Sequence, residues 1–147
     1  MISAQPLKRE YSVRDELETV TLVDAGDNMV GFCGKIAAHQ AGQLHRAFSI
    51  LITNPAGELL LQRRAACKYH FADRWSNTCC GHPRPGEQTL AAARRRLWEE
   101  FGFSVRLEKI GKLQYRTVDP NSGLIENEHL HVFHGYYASE PCPNPDE

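Results

Sequence analysis

Residues 76–103, SNTCCGHPRPGEQTLAAARRRLWEEFGF, decide the fold. A short polar strand ends in Cys79-Cys80-Gly81-His82, and a Pro/Gly loop follows. The pattern then becomes helical. Thr89 is the expected N-cap, Ala91 to Ala93 are strong helix formers, and Gly102 supplies a C-terminal stop. Leu90, Ala93, Leu97 and Phe101 recur at spacings of three and four, so this stripe packs on a core. Arg96 and Glu100 share one flank at its edge, while Glu99 points to the opposite side. The stretch sets a guanidinium and a carboxylate at a core–surface boundary, beside a loop that opens with a thiol and an imidazole.

At 147 residues the chain can build one core and one domain, expected over 17–147 behind a flexible arm at 1–16. A formal charge of -1 argues against a general nucleic-acid footprint. No apolar run approaches a membrane span and the N-terminus lacks a signal-peptide pattern, so a cytoplasmic protein is expected. Cys33, Cys67, Cys79, Cys80 and Cys142 form an odd set without framework spacing, which suits reduced thiols.

Around the central stretch the patterns predict an α/β (α+β) domain. Residues 18–24 alternate as a strand, Ala25 to Asn28 turn, and Met29 to Cys33 return. His39 and His45 lie in a segment without a decisive period, and alone they indicate no ligand role. Arg46 to Thr53 reads as a buried strand, with a turn at Asn54 to Gly57 and a return strand over 58–62. That hairpin delivers Arg63, Arg64 and then Lys68, which is either a solvated strand end or an anion site. Tyr69 to Trp75 is irregular and aromatic. After the helix, 105–114 is weakly patterned, Tyr115 to Val118 is a strand and Asp119 to Gly123 a turn.

Leu124 to Tyr137 reads as a long strand. Glu126, Glu128, Leu130 and Val132 share one face, and Asn127, His129, His131 and Phe133 share the other. The two carboxylates, about 7 Å apart, continue the face that Leu130 and Val132 are expected to bury. Unpaired charges there would be costly, so a cation between them is the simplest explanation. His129 and His131 face away from it and read as structural or surface residues. The chain ends in a proline-rich loop, with no internal repeat or second domain.

The central stretch resembles the Nudix box, G-x5-E-x7-R-E-U-x-E-E-x-G-U with U apolar. Gly81, Glu87, Arg95, Leu97, Glu99, Glu100, Gly102 and Phe103 fill its positions, but Arg96 stands where the family has a glutamate. An arginine there removes a carboxylate that commonly holds Mg2+ and adds a fork for phosphate. The resemblance implies a Nudix fold, mixed β-sheets sandwiched by helices. It leaves open a pyrophosphohydrolase, a non-catalytic diphosphate-binding module, or a relative with other chemistry.

Further stretches narrow the match: Lys35-Ile36-Ala37-Ala38-His39, Leu44-His45-Arg46-Ala47-Phe48-Ser49, Cys80-Gly81-His82-Pro83, Tyr115-Arg116 with Asp119-Pro120, and Glu126-Asn127-Glu128. In this order, from about Leu17 to Glu147, they resemble the type 1 isopentenyl-diphosphate delta-isomerase family. The resemblance implies interconversion of isopentenyl and dimethylallyl diphosphate by adding one proton to an allylic unit and removing another. It implies that His39, His45, His82, Glu126 and Glu128 hold one divalent ion. Three imidazoles and two carboxylates leave a sixth position, which suits octahedral Mn2+ or Mg2+ better than tetrahedral Zn2+.

Glu100 is implied to hold a second ion, a Mg2+ that bridges the diphosphate, with the backbone of Cys80 nearby. Lys35, Arg64, Lys68 and Arg96 are implied to bind the diphosphate oxygens, which explains the arginine in the box. Cys80 and Glu128 are implied to handle protons on opposite faces of the alkene, with Tyr115 beside Glu128. The expected partner is a small isoprenoid diphosphate, with neither nucleic acid nor membrane, and the expected assembly is a monomer or weak dimer. The family pattern continues past residue 147 through a strand, a helix and a tryptophan over the carbocation. A 147-residue chain is therefore expected to turn over weakly or not at all.

Overall fold

The computed structural model describes residues 13–147. The expected arm at 1–16 therefore lies mostly outside the described residues, and its end is helical rather than loose. Val13–Leu17 form α1, with Asp15 and Glu16 in the first turn, where carboxylates favour the helix dipole. Lys35 Nζ anchors Asp15 at 2.9 Å.

β1 (Thr19–Val23) and β2 (Met29–Gly34) form an antiparallel hairpin. Its turn is closed by Asp24 Oδ1, which accepts from the N–H groups of Gly26 and Asn28, both at 2.9 Å. α2 (Lys35–Ala41) follows and ends at Gly42, φ 64. A Cβ at Gly42 would also lie 3.1 Å from Ile125 Cδ1, so backbone and space both require glycine there. β3 (His45–Thr53) comes next, and β4 (Leu59–Leu60) is its hairpin return. The expected return strand over 58–62 is split, because β5 (Gln62–Arg63) leaves β3 to pair with β6 (Trp75–Ser76) in a separate ribbon.

β7 (Cys79–Gly81), α3 (Thr89–Phe101), β8 (Glu108–Val118) and β9 (Ile125–Tyr136) complete the described elements. The main sheet runs β2-β1-β3-β9-β8, with β4 and β7 also on β3. Thr89 is the first helical residue rather than the cap. Gln88 occupies that position in an extended conformation without a side-chain cap bond. β8 begins seven residues before the strand expected at Tyr115. It is an edge strand, mostly exposed, and a register shift between Lys109 and Gly111 breaks its alternation.

β3 organises the molecule. Along one edge it pairs in parallel with β9 from end to end, which sets His45 beside Glu128. Along the other edge three strands follow one another, β1 at His45, β7 at Phe48 to Ile50, and β4 at Ile52 to Thr53. One face of β3 gives Phe48, Ile50 and Ile52 to the core, where they meet Phe133 of β9 and Ala93, Leu97 and Phe101 of α3. The helical stripe packs as expected, although Leu90 is only half-buried. The main core cluster lies on the Phe133 face of β9; on the face that Leu130 and Val132 are expected to bury, Leu130 is buried and Val132 half-buried.

His129 and His131 share the Phe133 face. Of the two expected readings the structural one holds: they are buried, and they adjoin Asp27 from the β1–β2 turn. Asp27 accepts from Arg46 Nε and Lys112 Nζ at 2.7 Å and contacts His131 Nε2 at the same distance. Cations already surround that carboxylate, so the cluster ties the hairpin to the sheet. Among the described residues no helix is long and apolar enough to cross a membrane.

Candidate active site

On the other face of β3 a cavity of about 770 Å3 opens. Strand parity puts His45, Cys80, Glu126, Glu128 and Tyr115 on this side; Cys80, Glu126, Glu128 and Tyr115 line the cavity, and His45 is buried behind its wall. His82 arrives from the residue after β7, and α2 carries His39 from above. His39 Nδ1 lies 2.7 Å from Lys35 O, and His45 Nδ1 lies 2.8 Å from Gln43 O. A carbonyl can only accept, so each Nδ1 carries a hydrogen, and each ring turns its Nε2 toward the other.

Those nitrogens converge with a third. His45 Nε2 is 3.2 Å from His82 Nε2, which is 3.1 Å from Glu128 Oε1. One donor atom each from His39, His45, His82 and Glu128 lies within 4.8 Å of the others. Cis ligands on an octahedral ion with bonds of about 2.1 Å sit about 3 Å apart, so the spacing suits one. His39 Nε2 is buried with no hydrogen-bond partner among the described residues, an orphaned lone pair aimed into the cluster. The residues present therefore fit a divalent ion.

Glu126 stands slightly apart, in a second group with His39 and His70. His70 was not singled out in the sequence, because it lies in the irregular 69–75 segment. Tyr115 links the two groups, with its hydroxyl 2.8 Å from both Glu126 Oε2 and Glu128 Oε2.

Burial sets the charge states. It pushes the His39 imidazole down to about 2, aided by the neighbouring His82 and His45. Burial also lowers His82 despite its bond to Glu128. Glu128 is 6% exposed, and burial opposes its ionisation, but the imidazoles of His45 and His82 outweigh this and hold it below the usual carboxylate range. Cys80 is an exposed side chain that lines the cavity. Enclosure, helped by Glu128, Glu100 and Glu126, pushes its thiol up to about 12 against a bond to Ser49. Burial beside Glu128 and Glu126 raises the Tyr115 hydroxyl as well, so at neutral pH both Cys80 and Tyr115 are protonated.

Lys35, Arg64, Lys68, Arg96 and Glu100 also line the cavity. Three of the four cations already hold carboxylates. Lys35 pairs with Glu18 at 2.6 Å, Lys68 with Glu147 at 2.5 Å, and Arg96 with Glu99, Glu100 and Glu147 at 2.7, 2.5 and 3.0 Å. Arg64 Nη2 donates to His70 O at 3.3 Å, and its Nε is buried without a partner among the described residues. Glu100 also accepts from Gln62 Nε2 at 2.8 Å. Gln62 and Glu147 join His70 as cavity residues that no sequence pattern marked.

A NUDIX domain model matches residues 43–147. An isopentenyl-diphosphate Delta-isomerase 2 of Aromatoleum aromaticum is 55% identical over 130 residues, covering 88% of this chain and 68% of that protein. The isopentenyl-diphosphate Delta-isomerase 2 of Photorhabdus laumondii is 53% identical, covering 88% and 73%, and the Serratia proteamaculans isopentenyl-diphosphate Delta-isomerase is 51% identical, covering 88% and 72%. Among solved structures, the Deinococcus radiodurans protein DR0079 superposes with a TM-score of 0.72 at 21% identity, over 88% of this chain and 78% of that one. A MutT protein from Methanosarcina mazei gives 0.59 at 24% identity, over 69% and 70%. These two likenesses concern the fold alone.

Proposed function

Since the chain belongs to the NUDIX family and, within it, to the isopentenyl-diphosphate Delta-isomerases, we propose that it interconverts isopentenyl and dimethylallyl diphosphate in isoprenoid biosynthesis. One proton is added at one end of the allylic unit and one is removed from the other. A single observation carries the mechanism: the Cys80 thiol and the Glu128 carboxylate line the same cavity, where enclosure favours the protonated thiol and the neighbouring imidazoles favour the ionised carboxylate. A proton-in, proton-out cycle needs one group loaded and one empty. Turnover exchanges the two states, and the reverse reaction starts from the exchanged pair.

Protonating an unactivated alkene creates a tertiary carbocation, so acid–base catalysis, worth about 10²–10⁴-fold, is insufficient alone. Positioning by the anionic tail and electrostatic stabilisation by the nearby carboxylates supply the rest. Lys35, Arg64, Lys68 and Arg96 are the cations for the diphosphate. Glu100 would supply a carboxylate to a Mg2+. His39, His45, His82, Glu128 and Glu126 would hold a Mn2+ or Mg2+. Bound there, a divalent ion would supply positive charge that offsets the buried Glu128 and the half-buried Glu126. Tyr115 steadies Glu128 on the side facing the substrate. A cytoplasmic setting fits the five free cysteines.

The test is incubation with isopentenyl diphosphate and Mg2+ in heavy water. Deuterium at the allylic positions is expected. Release of inorganic phosphate or pyrophosphate without deuterium would instead establish a hydrolase.

A further inference from the structure

His70 is 5% exposed, stacks on Tyr69 with ring centroids 4.3 Å apart, and meets His39 edge-on at 5.4 Å. Its Nε2 lies 2.9 Å from Glu126 Oε1. An ionised carboxylate only accepts, so Nε2 carries the hydrogen. Nδ1 is then a bare lone pair, buried without a partner among the described residues, which costs less than a stranded N–H.

The segment that bears His70 is held from several sides. Phe71 adopts φ 47, a conformation that a bulky residue keeps only where its surroundings impose it. Its N–H donates to Asp119 Oδ2 at 3.1 Å, and Asp119, 1% exposed, also accepts from Ser122 Oγ at 2.6 Å. Arg64 holds the carbonyl of His70 itself. The ring thus reaches Glu126 from a fixed base.

We infer that His70 is a positioning residue for Glu126. It holds Oε1 while Tyr115 holds Oε2, and so keeps the carboxylate turned toward His39 with lone pairs still available to an ion. The inference rests on the metal reading of this cavity. Hydrogen-bond donors to metal-ligating groups typically contribute 10–100-fold in metal affinity, which sets the expected effect.

Mn2+ is the probe. Free Mn2+ measured by electron paramagnetic resonance gives affinity, and pulsed measurements count the imidazole nitrogens bound to it. His70→Gln keeps an N–H donor near the Nε2 position, and His70→Leu removes it. The expected result is unchanged affinity in His70→Gln, roughly 10–100-fold weaker binding in His70→Leu, and three bound nitrogens throughout. Wild-type affinity in His70→Leu, or equal losses in both variants, would overturn the role. So would four nitrogens in the wild-type protein, because His70 would then be a ligand itself. Should His70→Leu fail to fold, the wild-type nitrogen count and the affinity of His70→Gln still decide. Glu126→Gln separates the two levels: if it leaves Mn2+ affinity unchanged, the metal reading itself fails.

Discussion

Replacing Tyr115 with phenylalanine removes one hydroxyl and leaves the ring in place. That hydroxyl sits 2.8 Å from an oxygen of Glu126 and 2.8 Å from an oxygen of Glu128. It carries a single hydrogen, so it can donate to only one of them at a time. The two carboxylate oxygens are at most twice that distance apart, where two unit charges repel by about 3 kcal/mol at an effective dielectric of 20. The hydroxyl offsets part of this, since a hydrogen bond to a charged group contributes roughly 1.5–3 kcal/mol. Tyr115→Phe should therefore cost the ion-free protein about 2 kcal/mol, or ~4–8 °C in Tm for a domain of this size. Mn2+ between the carboxylates should reduce the loss to less than half. Turnover should fall about 10–100-fold, because Glu128 loses a group that orients it. Thermal melts with chelator and with Mn2+, paired with initial rates, test this. Equal Tm losses in both states, or an unchanged rate, would refute the reasoning.

Gly81→Ala would place a Cβ 2.9 Å from Cζ of the fully buried Phe48, so overpacking of about 1–3 kcal/mol is expected in urea unfolding; an unchanged midpoint contradicts it. The folded environment of Asp27 holds its carboxyl below its ordinary 3.8: burial opposes this, but Lys112, Arg46 and His131 prevail. Its contribution is thus present above about pH 4 and lost as pH falls through the folded value. Asp27→Asn should be less stable than wild type at pH 7, by roughly 1–3 kcal/mol, and the gap should shrink below pH 4. A gap independent of pH rules this out. Glu147 occupies Lys68 and Arg96, so Glu147→Gln should lower the inorganic pyrophosphate concentration needed for half-saturation; a higher requirement points the other way.

The parts of the fold legible in the sequence were those with a strong period or a stop. The Leu90-to-Phe101 stripe, Gly102, the buried strand from Arg46, and the alternation after Leu124 each produced the expected element. α2 escaped because seven residues give less than two full helical repeats, and no side chain caps its start. β8 escaped because an edge strand can be polar on both faces, and its register shift hides the alternation. The convergence of His39, His45, His82 and Glu128 depends on the parallel pairing of β3 with β9, which joins positions more than eighty residues apart and leaves no local trace. The family resemblance marked the three histidines, whereas strand parity had already paired Glu128 with Glu126 as a cation site. His70, Gln62 and Glu147 were missed for the opposite reason. His70 and Glu147 lie in irregular segments whose course is set by tertiary partners such as Asp119 and Arg96, and Gln62 lies in a two-residue strand too short to show a period.

The most direct test of the account is solvent exchange by the Cys80→Ala variant, with its Mn2+ affinity measured on the same sample. The sulfur contributes to the proton cycle but not to the imidazole–carboxylate cluster. Mn2+ should therefore bind as in the wild type, while no deuterium enters either allylic diphosphate in heavy water. Deuterium entering at the wild-type rate would contradict the paired thiol–carboxylate mechanism.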